Sequence, residues 1–213
     1  MLISGQEPRE RADAARNRER VLAAAAQLVE ERGIGCVSMD DIARAACVGT
    51  GTVYRRFGDR AGLALALLDE ESRAFQDALI SGPPPLGPGV PASERLSAFG
   101  LRYLDLLDRR AELMVVGAPA ERGGQGPDQF NATHLAIPVG QAAPQLDGAF
   151  TARALLAALN PAQHLFARRV LGWELERLQA GWVGLVEALV SPVGPSTRRP
   201  VVPTSRARPA DPR

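Results

Sequence analysis

Apolar residues in this chain recur at helical spacing. Val21, Leu22, Ala25, Leu28 and Val29 fall at i, i+1, i+4, i+7 and i+8, one face of a helix that starts near Arg16 and stops at Gly33 and Gly35. A second, shorter stripe follows in Met39, Ile42, Ala43 and Ala46. Ser38 stands where an N-cap belongs, and Asp41, three residues on, can complete a capping box. Asp40 and Asp41 also suit the positive end of the helix dipole. Val48-Gly49 breaks the pattern. A third helix is expected from about Thr50 to Phe57, with Val53 and Phe57 four apart on its inner face and Gly58 as its stop. Asp59 can cap a fourth, from Arg60 to about Ile80, with Leu63, Leu67, Leu68, Phe75 and Leu79 inside.

Composition then changes sharply. Ser81 to Ala92 reads SGPPPLGPGVPA, with five prolines and three glycines in twelve residues, and no helix survives that. Beyond it the helical period returns. Ser93 can cap a helix through Arg110, with a short apolar helix expected at 111–117 before Pro119. Residues 117–129 read as a loop. A helix from about Gln129 should be kinked or ended by Pro138. The stripe of Leu155, Leu159, Ala162, Phe166 and Val170 is interrupted at Pro161, and Leu175, Leu178, Trp182, Leu185 and Leu189 form a clearer one. The expected divisions are a disordered arm at 1–15, a helical unit at 16–80, a linker at 81–92, a second helical unit at 93–190 and a disordered, Pro/Arg-rich tail at 191–213.

The rest of the composition mostly excludes. With 46% hydrophobic residues, the 213-residue chain has enough apolar material for a sizeable core. Neither an apolar run near 18 residues nor a signal-like apolar start is present, so no membrane partner is expected and the expected location is the cytoplasm. All 25 basic residues are Arg, which reflects coding bias more than function. Cys36 and Cys47 lack metal or redox spacing, and a helix between them would hold them roughly 12 Å apart. They read as small buried apolar residues, with a thiol sensor as the alternative. His134 and His164 have no partners at ligand spacing, so neither a metal nor a cofactor is expected, and no catalytic grouping is identifiable.

Positive chemistry sits in VSMDDIARAACVGTGTVYRRFGDR, residues 37–60. A helix of seven or eight residues melts alone. Packed through Val53 and Phe57 it is held, and its outer face then offers Thr50, Gly51, Thr52, Tyr54, Arg55 and Arg56. Small residues admit close approach of a duplex, hydroxyls donate to phosphate oxygens, and Arg pairs with phosphate or with guanine edges. Ser38 and Arg60, at the starts of helices two and four, are placed for phosphate. The unit reads as a helix-turn-helix whose partner is double-stranded operator DNA. Bulk charge does not make this case, since ten Arg against eight acids between Arg9 and Arg60 leave only +2.

The stretch from about Arg18 to Leu79 resembles the TetR/AcrR family of bacterial transcriptional regulators. The matching residues are Ala24-Ala25, Gly33, Val37 to Ala43, Val48, Gly51-Thr52-Val53-Tyr54, Phe57 and Arg60. By resemblance, Ser38, Thr50, Gly51, Thr52, Tyr54 and Arg60 sit at DNA-contacting positions, and Arg55 and Arg56 where contacts vary. Cys47 departs from the pattern, since it occupies the usual turn glycine. The resemblance implies an all-α protein: a three-helix head joined by a long fourth helix to a helical domain that binds a small molecule and dimerises. It also implies a ligand-responsive homodimeric repressor rather than an enzyme. For an apolar or aromatic effector the candidates are Phe99, Tyr103, Met114, Phe130 and His134. For the homodimer interface they are Leu155, Leu159, Phe166, Leu178, Trp182, Leu185 and Leu189.

Overall fold

The computed structural model of the chain describes residues 7–118 and 127–191. Among these, nine α-helices and a single 3-10 turn make up the regular structure. The head comprises α1 (Glu7–Arg32), the 3-10 turn Ile34–Cys36, α2 (Met39–Ala45) and α3 (Thr50–Phe57). The long α4 (Arg60–Ser81) leads out of it. The second half comprises α5 (Ala92–Gly117), α6 (Pro127–Ala142), α7 (Gly148–Ala158), α8 (Pro161–Arg169) and α9 (Leu175–Val190).

Several boundaries differ from the sequence reading. α1 begins at Glu7, so residues 7–15 are helical rather than part of a disordered arm. Their Glu, Ala and Arg content favours helix, and Arg16 pairs with Asp13 one turn back. The two helices expected at 93–110 and 111–117 form one helix of 26 residues, since no Pro lies between Ala92 and Gly117 and Ala111 is itself buried. Ser93 lies inside that helix, whose N-cap is Pro91. Pro138 lies inside α6 and does not end it. Pro161 does start a helix, and Asn160 caps it by accepting from the Ala162 and Gln163 amides at 2.9 and 3.1 Å. The expected tail from 192, the arm before Glu7 and the Pro119 region lie outside the described residues.

Two cores result. Val21, Ala25, Met39, Ile42, Val53 and Leu63 fill the head. Phe75, Leu79, Phe99, Leu107, Leu135 and Trp182 help to fill the second. α4 contributes to both, so the division between cores falls along this helix and not at the Pro/Gly segment. A bridging cluster of Ile34, Ala64, Leu68 and Leu113 joins the head to α5. α5 is the axis of the second half, packed against α4, α6, α8 and α9. Its side facing α8 and α9 is acidic. Gln179 donates to Asp105 at 2.8 Å, Arg168 to Asp108 at 2.9 Å, and Arg169 pairs with Glu112.

Candidate nucleic-acid interface

α2 starts as its sequence dictates. The Asp41 amide donates to Ser38 Oγ at 3.1 Å, and Asp41 Oδ2 accepts from the Ser38 amide at 3.2 Å and from its hydroxyl at 2.6 Å. Both arms of the capping box are therefore made. The Ser38 hydroxyl first, then its amide, holds the Asp41 carboxyl below the usual carboxylate range, and Arg44 at 3.2 Å adds to this. That carboxylate stays ionised beside any phosphate brought to Ser38.

α3 is fixed by its inner face. Val53 is fully buried, and Phe57 packs against the same core. The expected DNA-facing residues are therefore displayed together. Gly51, Tyr54, Arg55 and Arg56 are exposed, while Thr50 and Thr52 are half-buried. A side chain at Gly51 would meet nothing within 4 Å, so a duplex backbone has room to approach there. Ser38 and Arg60 are exposed as well, and Arg60 Nη1 donates to the Gly35 carbonyl at 3.3 Å. Asp59 accepts from the Gly62 amide at 2.7 Å and so caps α4 directly after the Gly58 turn. Seven of these eight residues belong to the head, and Arg60 opens α4 directly beyond it.

The turn between α2 and α3 carries a backbone cost. Cys47 adopts φ 52°, the left-handed region that favours glycine. A side chain there costs about 1 kcal/mol. The geometry is that of a Schellman C-terminus: the Cys47 amide donates to Arg44 O at 3.2 Å and the Val48 amide to Ala43 O at 3.0 Å. Both cysteines are free and exposed, not buried, because Cys36 closes the 3-10 turn and Cys47 sits at the outside of this one. The sequence reading missed Arg20, which reaches from α1 to the carbonyls of Ala46 at 3.2 Å and Cys47 at 3.5 Å. Separated from them by 26 and 27 residues, it carries no periodic signal.

In the second half the effector candidates are tightly packed. Phe99 and Tyr103 are buried and stacked at 5.8 Å, and Phe75 meets both edge-on. Met114 and Phe130 pack against this core. His134 stacks on Phe130 at 4.0 Å, and its Nδ1 lies 3.1 Å from the Phe130 carbonyl. Of the interface candidates, Leu155, Leu159 and Trp182 are spent inside the chain's own core, because α7 and α9 turn those faces inward. Leu178 and Leu189 are half-buried against that core. Phe166 and Leu185 are 47% and 43% exposed. They border two adjoining apolar crevices of about 390 and 230 Å³, which share Leu104, Ala158, Trp173 and Leu178.

Comparisons with known proteins agree with this geometry. The family model of bacterial regulatory proteins, tetR family, matches residues 21–67. An HTH-type transcriptional regulator of Staphylococcus aureus is 35% identical over 65 residues, 30% of this chain and 35% of that protein. The match thus spans about a third of the curated relative. Among solved structures, a TetR-family transcriptional regulator from Pectobacterium atrosepticum superposes with a TM-score of 0.58 at 22% identity, over 84% of this chain and 95% of the other. NalD, the secondary repressor of the MexAB-OprM multidrug efflux pump in Pseudomonas aeruginosa, does so with a TM-score of 0.56 at 18% identity, over 83% and 96%. These likenesses extend the shared fold beyond the head to the second half. With its α2–turn–α3 unit and this match, the head at residues 21–67 is similar to the helix-turn-helix unit of bacterial regulatory proteins of the tetR family, and the second half shares the fold of the solved TetR-family regulators.

Proposed function

We propose that the protein is a homodimeric repressor that grips a near-palindromic operator through α3 and lets go when a small apolar or aromatic effector binds. The observation that carries the DNA reading is the two-faced character of α3. Val53 and Phe57 anchor it, while Tyr54, Arg55 and Arg56 stand free. Tyr54 and the two threonines supply phosphate contacts, and the arginines supply phosphate or guanine contacts. Two such heads, related by a two-fold axis, read half-sites about one helical turn apart.

Support for the dimer comes from α8 and α9. Phe166, Val170, Leu171 and Leu185 are all more than 40% exposed. Beside Leu185, Gly181 and Gly184 leave the surface of α9 open, with nothing within 4 Å of a Cβ at either. That allows another helix to approach closely. The effector reading rests on the middle helices, where Phe99, Tyr103, Met114, Phe130 and His134 gather as apolar, aromatic core side chains between which an effector would have to insert. An effector acts only through its differential affinity for dimers whose heads do and do not match the operator.

The test is selection of bound duplexes from a random library at near-physiological salt, using the full-length chain. A recovered palindrome supports the reading. Failure of folded protein to select any duplex, or salt-sensitive binding without sequence preference, overturns it.

A further inference from the structure

The C-terminus of α2 exposes more carbonyls than its own turn can satisfy. Ile42 O accepts from the Ala46 amide, Ala43 O from Val48 and Arg44 O from Cys47. This leaves the carbonyls of Ala46 and Cys47 pointing out of the turn, at the negative end of the helix dipole. Arg20 Nη2 donates to both of them from α1. The residue it clasps is also the strained one, with Cys47 in the left-handed region at φ 52°. Three residues later α3 begins, with Gly49 as an N-cap that offers no side-chain bond. The entry angle of α3 thus depends on the shape of this turn.

We infer that Arg20 is a positioning residue for DNA reading: it holds Cys47 in its left-handed turn and thereby fixes α3 against α1. A charged donor on two carbonyls favours the one conformation in which both can be reached. With glycine at position 47 the turn would need no such clasp. The two positions should therefore be energetically coupled, although they belong to separate elements of the head.

The inference rests on the DNA-binding reading for its consequence but not for its structural part. In Arg20→Gln, hydrogen exchange at the Cys47 and Val48 amides should speed up about ten-fold, with protection in the second core unchanged. In the Cys47→Gly background the same substitution should change exchange at these two amide positions by less than about two-fold. Equal acceleration in both backgrounds, or none in either, overturns the inference even where DNA binding stands. On a selected operator, Arg20→Gln should weaken binding about ten-fold, Cys47→Gly should restore most of it, and the salt slope should stay that of the unmodified protein. A slope reduced by about 0.9 in both backgrounds would make Arg20 a phosphate contact and overturn the positioning role. If the unmodified chain selects no duplex, the function proposed above fails, while the exchange data still decide the coupling.

Discussion

Gly100 of α5 lies directly beneath the indole of Trp182 on α9, where a Cβ would stand 1.9 Å from Cε2. Trp182 is 4% exposed, and its Nε1 donates to the Leu96 carbonyl at 3.0 Å. The ring is thus fixed from two sides and cannot swing away. In an exposed helix, Gly→Ala gains up to about 1 kcal/mol from propensity. Here overpacking wins, since forcing even a methyl into a filled core costs about 1–3 kcal/mol and this contact is far closer than contacts that cores relax. Gly100→Ala should therefore lower the stability of the second half by about 2 kcal/mol. Urea denaturation followed by Trp fluorescence reads it directly, and an unchanged or raised midpoint would contradict the packing described.

Tyr54 offers the opposite case. It is half exposed on α3 and is absent from the apolar residues packed on the head core. Tyr54→Phe removes one hydroxyl and should leave stability within about 0.5 kcal/mol of the parent. Loss of a phosphate hydrogen bond should weaken operator binding several-fold, and Tyr54→Ala should weaken it further. Thermal melts and fluorescence anisotropy on the same samples separate these effects. Equal affinity for all three proteins would mean that α3 docks by another face.

His164 predicts a pH dependence. Its side chain is only 3% exposed, neither ring nitrogen has a hydrogen-bond partner among the described residues, and Nε2 lies 3.4 Å from Asp108. Burial pushes its pKa below the ordinary 6.5, outweighing the pull of Asp108, which Arg168 already engages. In the unfolded chain the imidazole takes up its proton first as pH falls. Stability should therefore drop with falling pH from about 6.5 down to the folded pKa, and then level off. Asp41 acts in a separate, more acid window, because its depressed pKa protects stability until pH falls below about 3.8. Denaturation midpoints measured from pH 7.5 to 5 should slope downward in the parent and flatten in His164→Gln. The same slope in both proteins would count against His164.

How much of this was legible in the sequence follows from what sequence periodicity encodes. The head was readable because its signals are local: Ser38 and Asp41 are three residues apart, and Val53 and Phe57 four. The strained turn was readable at Cys47, because a side chain stands where glycine is usual. The clasp by Arg20 and the notch at Gly100 were not, since each joins residues that only tertiary packing brings together, 26 and 82 positions apart. Trp182, Leu155 and Leu159 looked like interface residues because an apolar stripe has the same period whether it faces its own core or a partner. Only burial distinguishes the two cases.

Leu185 tests the dimer where that distinction matters. It borders the larger crevice and is 43% exposed, one residue from Gly184 on the open side of α9. A charge there meets water in a monomer but would be buried unpaired in a helix-to-helix interface, at a cost of several kcal/mol. Leu185→Glu should therefore shift the protein to monomer at micromolar concentration, while its circular dichroism and melting stay close to the parent's. Leu159→Glu should instead unfold the second half, because that side chain is 3% exposed inside one chain. Operator affinity should follow the dimer. Two linked heads gain roughly 10²–10⁴-fold over one through effective concentration alone, and Leu185→Glu forfeits that gain with every proposed DNA contact intact. Sedimentation velocity and anisotropy on one preparation give both numbers. A Leu185→Glu protein that remains dimeric would place the interface elsewhere on the second half and remove α9 from it.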